Sequence, residues 1–339
     1  MNSSNIAYNI TIWFLVGSFV CSVRAEDNVV GARVVKFYGY EDCLRLENDS
    51  TRVTLCPAAG GRVLEYSFRG ENALYLPPGC EGWQYESGKK ECSMDGGRFD
   101  IGPEQTIPQH PQLWMGRWSS QITGPLSARL VSVKDKPTGV QLIRDFTLSE
   151  DSSRLECKQT IKNVSKDTKE YCHWSRTYAL HGGICVIPLT QQSRFPHGYV
   201  MYGPRIRTIN FRPEDPNIRV RDGFLEITAP PKLPKLGMDS YAGWFAYLMN
   251  NNMMFVKRFP TYPNRVYNEV AGLTVSIYYP EKQDIPMCEL EPIGPREKLT
   301  PSQSASFTET WWLLPHRFPK TGEQVNLKKI AAQVARDAS

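Results

Sequence analysis

Glu289 and Glu291, in Met287-Cys288-Glu289-Leu290-Glu291-Pro292, place two carboxylates one residue apart in an otherwise apolar segment that precedes the run Thr310-Trp311-Trp312-Leu313-Leu314. Positions i and i+2 of a strand share a face. Both carboxylates therefore project together, towards water or towards the interior of a sheet. If that face lines a concave site, one of them is a candidate base; otherwise the pair is a solvated strand face. His110, in Pro108-Gln-His110-Pro-Gln-Leu-Trp114, and His181, before Gly182-Gly183, are the titratable groups best placed to work with them. His110 lies in an irregular segment, where functional groups are often carried, whereas His181 has a turn as its plainer role. Arg62 and Arg98 each follow paired glycines. Their forked donors suit hydroxyls or a carboxylate, with surface ion pairs as the alternative.

The elements that must position these groups are short and β-rich. Arg33-Val-Val-Lys-Phe-Tyr, Arg52-Val-Thr-Leu, Arg62-Val-Leu-Glu-Tyr-Ser-Phe, Val140-Gln-Leu-Ile-Arg-Asp-Phe and Leu155-Glu-Cys-Lys-Gln-Thr-Ile read as strands, by composition and by period. Gly243-Trp-Phe-Ala-Tyr-Leu and Met253-Met-Phe-Val-Lys-Arg-Phe form a further pair across the turn Asn250-Asn251-Asn252, and Leu273-Thr-Val-Ser-Ile-Tyr-Tyr follows. Helical spacing is convincing only over Val325–Ala335, a terminal packing helix. The proline-bearing stretch Thr228–Met238 reads as a rigid loop, and Glu81–Trp118 as a long irregular segment of the kind that often carries function.

Composition narrows the classes. Forty basic residues stand against 35 acidic ones in 339, without a Lys/Arg cluster, so nothing calls for nucleic acid. Residues 1–25 read as a secretory signal, with Ile10–Val23 almost uninterrupted in apolar character and Val23-Arg24-Ala25 before Glu26. The n-region lacks Lys and Arg, so an uncleaved N-terminal anchor is the alternative; Cys21 suggests a lipoprotein, but Val20 fits that poorly. No later run is long enough to cross a bilayer. The expectation is an exported chain, periplasmic or extracellular, with residues 26–339 as one domain.

Eight of the nine cysteines follow the signal, and an even number in an exported chain favours disulfides over metal. The sequential pairs are Cys43/Cys56, Cys80/Cys92 and Cys157/Cys172, which leaves Cys185/Cys288; spacing alone does not fix connectivity. In a reducing compartment all eight are buried thiols instead. No two histidines fall at helical ligand spacing and no Cys-x-x-Cys occurs, so no metal and no other cofactor is expected. The sequons Asn48-Asp-Ser50 and Asn163-Val-Ser165 are potential glycosylation sites.

The order of these motifs resembles the galactose-mutarotase-like superfamily, which includes the aldose 1-epimerases. Pro57-Ala-Ala-Gly60-Gly61-Arg62-Val63 resembles the glycine-bearing turn into an early core strand, Gly97-Arg98-Phe99 the arginine-bearing segment of the cleft, and the segment around His110 the region of the first active-site histidine. Cys288-Glu289-Leu-Glu291-Pro292, then Leu299-Thr-Pro301 and Phe307-Thr-Glu-Thr-Trp311, resemble the family's finish, a glutamate base followed by a turn and the last strand.

The resemblance implies an all-β fold, an antiparallel β-supersandwich with a short C-terminal helix, that handles a mono- or oligosaccharide in a cleft between its two sheets. Mutarotation needs a base for the anomeric hydroxyl and an acid for the ring oxygen; the resemblance makes Glu289 the base. Glu291 becomes an orienting partner or a hydroxyl ligand. The family's acid histidine falls in a segment comparable with His173-Trp-Ser-Arg176-Thr-Tyr178-Ala-Leu-His181, where Arg176 occupies the acid's position. An arginine does not give up its proton at ordinary pH. The acid role therefore passes to His110 or His181, with His173 a further option, and Arg98 and Arg176 hold the ring. Trp114, ahead of Trp83, Trp118 and Trp174, is the candidate platform for a sugar face, with core packing as its alternative. Two further functions stay open: a non-catalytic carbohydrate-binding protein, and a lyase or hydrolase using Tyr178 or Tyr262 with a histidine.

Overall fold

The structure, a computed structural model, describes residues 30–338 except 90, 91, 93–95, 192, 204–207 and 281–284. The signal or anchor read at residues 1–25 lies outside the described residues. Among those described, no helix is long and apolar enough to cross a membrane.

Two antiparallel sheets of 13 and 10 strands carry the chain. The centre of the larger sheet runs, in spatial order, through Arg62–Phe68, Gly97–Gly102, Lys169–Leu180, Met287–Pro292, Val275–Tyr278 and Lys235–Met238. The smaller sheet includes Trp244–Met249, Met253–Arg258, Ser304–Pro315, Leu155–Asn163 and Val140–Leu148 as consecutive neighbours. Within the smaller sheet, Val140–Leu148 and Leu155–Asn163 alternate buried with partly exposed residues, which is why they are legible as strands. By contrast, Gly97–Gly102 and Met287–Pro292 are buried at every position. Both faces are covered there, and alternation vanishes from the sequence.

That covering corrects two expectations. The Glu81–Trp118 segment contains the Gly97–Gly102 strand, and the supposed loop Thr228–Met238 contains the strand Lys235–Met238. It also rules out a solvated face for Glu289 and Glu291, which are 1% and 0% exposed.

The core lies between the sheets. Phe99, Ile101, Leu290, Ile277 and Leu236 from the larger sheet pack on Phe255, Phe307, Trp311 and Leu313 from the smaller, each contributing roughly 1.5–3 kcal/mol by leaving water. A polar knot crosses this core. Lys257 Nζ lies 3.2 Å from Glu309, and it donates to Thr177 Oγ1 at 2.7 Å and to the Leu290 carbonyl at 3.2 Å. Glu309 also accepts from Gln159 and from the Trp311 indole. The terminal helix is Leu327–Asp337, capped by Asn326, and it seats Leu327, Ile330 and Val334 against the outside of the smaller sheet.

Of the sequential cysteine pairs, Cys80–Cys92 forms a disulfide. Cys157 packs in the core between the sheets, whereas Cys172 lies beside Trp174 on the far side of the larger sheet, so that pair is not formed. Cys43 and Cys56 are buried thiols in one cluster, and the thiols of Cys185 and Cys288 stand 3.8 Å apart. The sequon asparagines are structural. Asn48 Nδ2 donates to the Ser149 and Ser152 carbonyls, and Asn163 Nδ2 to those of Asp167 and Leu299.

Candidate functional site

Period-2 alternation on Lys169–Leu180 sends Ser175 and Thr177 towards Lys257 of the smaller sheet, and His173 between the rings of Phe99 and Phe307. Trp174, Arg176 and Tyr178 consequently point the other way, to the outer face of the larger sheet. The pairing Trp174↔Asp100, Arg176↔Arg98 and Tyr178↔Glu289 brings those residues onto the same face, and Ser276↔Glu291 and Lys235↔Tyr278 extend it. The site therefore lies outside the sandwich. The cleft expected between the sheets is instead filled by packed core, a correction that follows from the close packing of the two inner faces.

Arg176 is the hub. Its Nε donates to Glu289 Oε1 at 3.1 Å and to Glu291 Oε1 at 3.2 Å, its Nη2 donates to Glu104 Oε1 at 3.1 Å, and its Nη1 lies 3.9 Å from Asp100. The guanidinium lies over Trp174, 4.6 Å from the ring centre. Lys235 donates to Glu104 at 2.9 Å and lies over the same indole. Glu104 is oriented in turn by its backbone N–H, which donates to Glu269.

The second unit is His110 with Asp100. His110 opens the short helical turn Pro111–Trp114 and is 7% exposed. Its Nδ1 lies 2.7 Å from the Pro108 carbonyl and its Nε2 2.8 Å from Asp100 Oδ1. A carbonyl only accepts, so Nδ1 carries a proton. Burial pushes the His110 pKa down, but the bond to Asp100 and that carboxylate's charge outweigh it and hold the pKa above its ordinary value. Burial likewise raises Asp100, and the bond to His110 with the nearby arginines brings it below the usual range. The two form an ion pair in which both ring N–H groups are engaged.

The two glutamates are driven apart. Burial, reinforced by the charge on Glu291, lifts Glu289 to about 7. Burial acts on Glu291 in the same direction, but Lys235 and Arg176 overcome it and hold that carboxyl low. Separated pKa values in a carboxyl pair suit proton transfer. Access is another matter. A cavity of about 500 Å³ opens over Asp100, Glu104, His110, Trp114 and Arg176, with Tyr85 on its wall. That size lies in the usual range for ligand pockets, roughly 300–1,000 Å³. Glu289 is absent from its lining and sits beneath Arg176.

Six of the residues singled out from the sequence thus converge: Glu289, Glu291, His110, Arg98, Trp114 and Arg176. Three do not. His181 is exposed and lines a separate cavity with Tyr279, Pro286 and Met287. Arg62 is 1% exposed and donates to the carbonyls of Ala59 and Trp114, so it braces the Trp114 turn from behind. The turn before it needs glycine: Gly60 and Gly61 have φ of +66° and +59°, and a Cβ on Gly60 would lie 2.0 Å from the Trp114 carbonyl oxygen. Tyr262 lies against Arg265, with its backbone N–H bonded to Tyr267. Sequence reasoning missed Asp100, Glu104 and Lys235. Only Asp100 left a signal, two residues beyond Arg98 and hence on its face.

No family model matches the chain, and no curated protein matches its sequence. Solved structures do match its fold. A provisionally assigned aldose 1-epimerase from Escherichia coli K12 is similar at 11% identity and a TM-score of 0.58, over 80% of this chain and 99% of the other. A galactose mutarotase-like protein from Lactobacillus casei is similar at 9% identity and 0.56, over 80% and 100%. The Slr1438 protein of Synechocystis is similar at 15% identity and 0.54, over 84% and 100%. The chain has the galactose mutarotase-like fold.

Proposed function

We propose that this chain binds a carbohydrate on the outer face of its larger sheet, in the cavity floored by Arg176. Glu104 and the Arg176 fork meet sugar hydroxyls, and the half-buried Trp114 ring offers an apolar wall for a pyranose face. The observation that carries this reading is the position of Arg176 between the cavity and Glu289. A ligand meets the guanidinium first, and the group suited to act as base lies behind it. His110, with both ring N–H groups engaged, is likewise committed to Asp100 and Pro108.

A second reading, an aldose 1-epimerase-like isomerase, is favoured by the lift of Glu289 to about 7, a fitting value for a general base. It requires Arg176 to swing aside and His110 Nε2 to leave Asp100 for the ring oxygen. Calorimetry of the full chain with a panel of aldoses, paired with exchange NMR of their anomers, separates the two. Binding without faster anomer exchange supports the binding protein. Faster exchange that Glu289→Gln abolishes establishes the isomerase, and a chain that binds no sugar in the panel defeats both. In either case we place the protein outside the cytoplasm, with residues 26–339 as one domain.

A further inference from the structure

We infer that the sugar taken by this site carries a carboxylate and that Arg98 receives it, an inference that rests on the carbohydrate-binding reading above. Arg98 is 4% exposed, yet among the described residues its guanidinium makes no hydrogen bond and no ion pair, and its Nε is buried without an acceptor. The other buried cations on this face are satisfied: Arg176 by three glutamates, Lys235 by Glu104. The anions beside Arg98 each have an oxygen committed elsewhere. Asp100 Oδ1 is bonded to His110 and to the Ile101 N–H, and Glu289 Oε1 accepts from Arg176. A buried donor without an acceptor is costly, so a ligand oxyanion supplies the acceptor that the protein omits.

Geometry restricts how it binds. The Arg98 guanidinium stacks on the Trp114 ring with Cζ 4.4 Å from its centre, and the Tyr178 ring centre lies 6.0 Å away. With a face occupied, the donors available are those along the edge, which match the two oxygens of a planar carboxylate. Trp114 supplies a second buried donor without an acceptor, its Nε1, and lines the cavity; Arg98 itself is not among the lining residues but sits against two that are, stacked on Trp114 and cross-strand from Arg176. The pyranose contact and the carboxylate contact thus meet at one residue. A dianionic phosphate fits less well, because Asp100, Glu104, Glu289 and Glu291 surround the site and repulsion grows with ligand charge.

Calorimetry of the full chain at pH 7 with galacturonate, galactose and galactose 6-phosphate tests the inference, together with Arg98→Gln and Arg98→Lys. We expect galacturonate to bind about ten- to a hundredfold more tightly than galactose, the range of a charge-assisted hydrogen bond. Arg98→Gln should erase that preference, so that galacturonate binds no more tightly than galactose to the same variant, and Arg98→Lys should restore part of it. If galactose binds as tightly as galacturonate, or the phosphate binds best, the carboxylate is wrong and the carbohydrate-binding reading survives. If none of the three binds, that reading falls and the inference with it. Should Arg98→Gln fail to fold, Arg98→Lys and the salt dependence of galacturonate binding decide: affinity that neither the substitution nor added salt weakens overturns the role of Arg98.

Discussion

Arg176 Nε donates to Glu289 at 3.1 Å across 113 residues of sequence, and that single bond places a permanent cation between the cavity and the carboxyl best suited to act as base. The same nitrogen also serves Glu291. The guanidinium therefore holds two buried carboxyls at once, while its other end bonds Glu104 at the cavity.

Replacing Arg176 with Met should leave Glu289 and Glu291 buried without their shared counterion. Removing one partner of a buried ion pair costs about 3–5 kcal/mol, and urea denaturation at pH 7 should register a loss of that order. The Glu289 carboxyl, already at about 7, should titrate higher still by carbon NMR. A midpoint that stays in place would show that Arg176 is not its counterion.

Stability should depend on pH with a predictable sign. Glu289 is raised from 4.5 to about 7, so the unfolded chain ionises first as pH rises. The contribution of Glu289 is full below 4.5 and declines towards 7, by roughly 3 kcal/mol for a shift of this size. Glu289→Gln should flatten that part of the profile. His110 is raised as well, so its contribution is full below about 6.5 and lost as pH rises through its folded pKa. Asp100 is lowered, and its contribution, present above about 3.8, is lost as pH falls through its folded pKa. Wild type should therefore lose stability above neutrality faster than His110→Gln does, as read from Tm against pH.

Lys257 binds the larger sheet from behind, at Thr177 beside Arg176 and at the Leu290 carbonyl between the two glutamates. Lys257→Met should cost about 3–5 kcal/mol by stranding Glu309 in the core. Adding Glu309→Leu should recover a substantial part of it. A double variant no more stable than the single one would mean that the remaining polar partners, Gln159 and the Trp311 indole, dominate the knot.

Peptide mapping without reduction should recover Cys80 joined to Cys92, and no peptide joining Cys157 to Cys172. Cys80→Ser with Cys92→Ser should cost about 3 kcal/mol, the chain-entropy value for a loop of this order, read as a lower urea midpoint.

The sequence by itself determined strands such as Val140–Leu148 and Leu155–Asn163, the Asn250–Asn252 turn, the terminal helix and the fact that Glu289 and Glu291 share a side. Each is a local property: period 2, period 3.6 or turn chemistry within a few residues. It did not determine which side of the sheet that shared face lies on, because alternation fixes relative orientation only, and where both faces are buried it disappears. Gly97–Gly102 and Lys235–Met238 were lost to loops for that reason. Nor did it bring Glu104 to Lys235 across 131 residues, or leave Arg98 without an acceptor. Those relationships arise from strand order in the sheet, where neighbours such as Lys169–Leu180 and Met287–Pro292 are far apart in the chain. The tertiary structure alone decided that Glu289 faces an arginine on the outer face of the sheet instead of a sugar between two sheets.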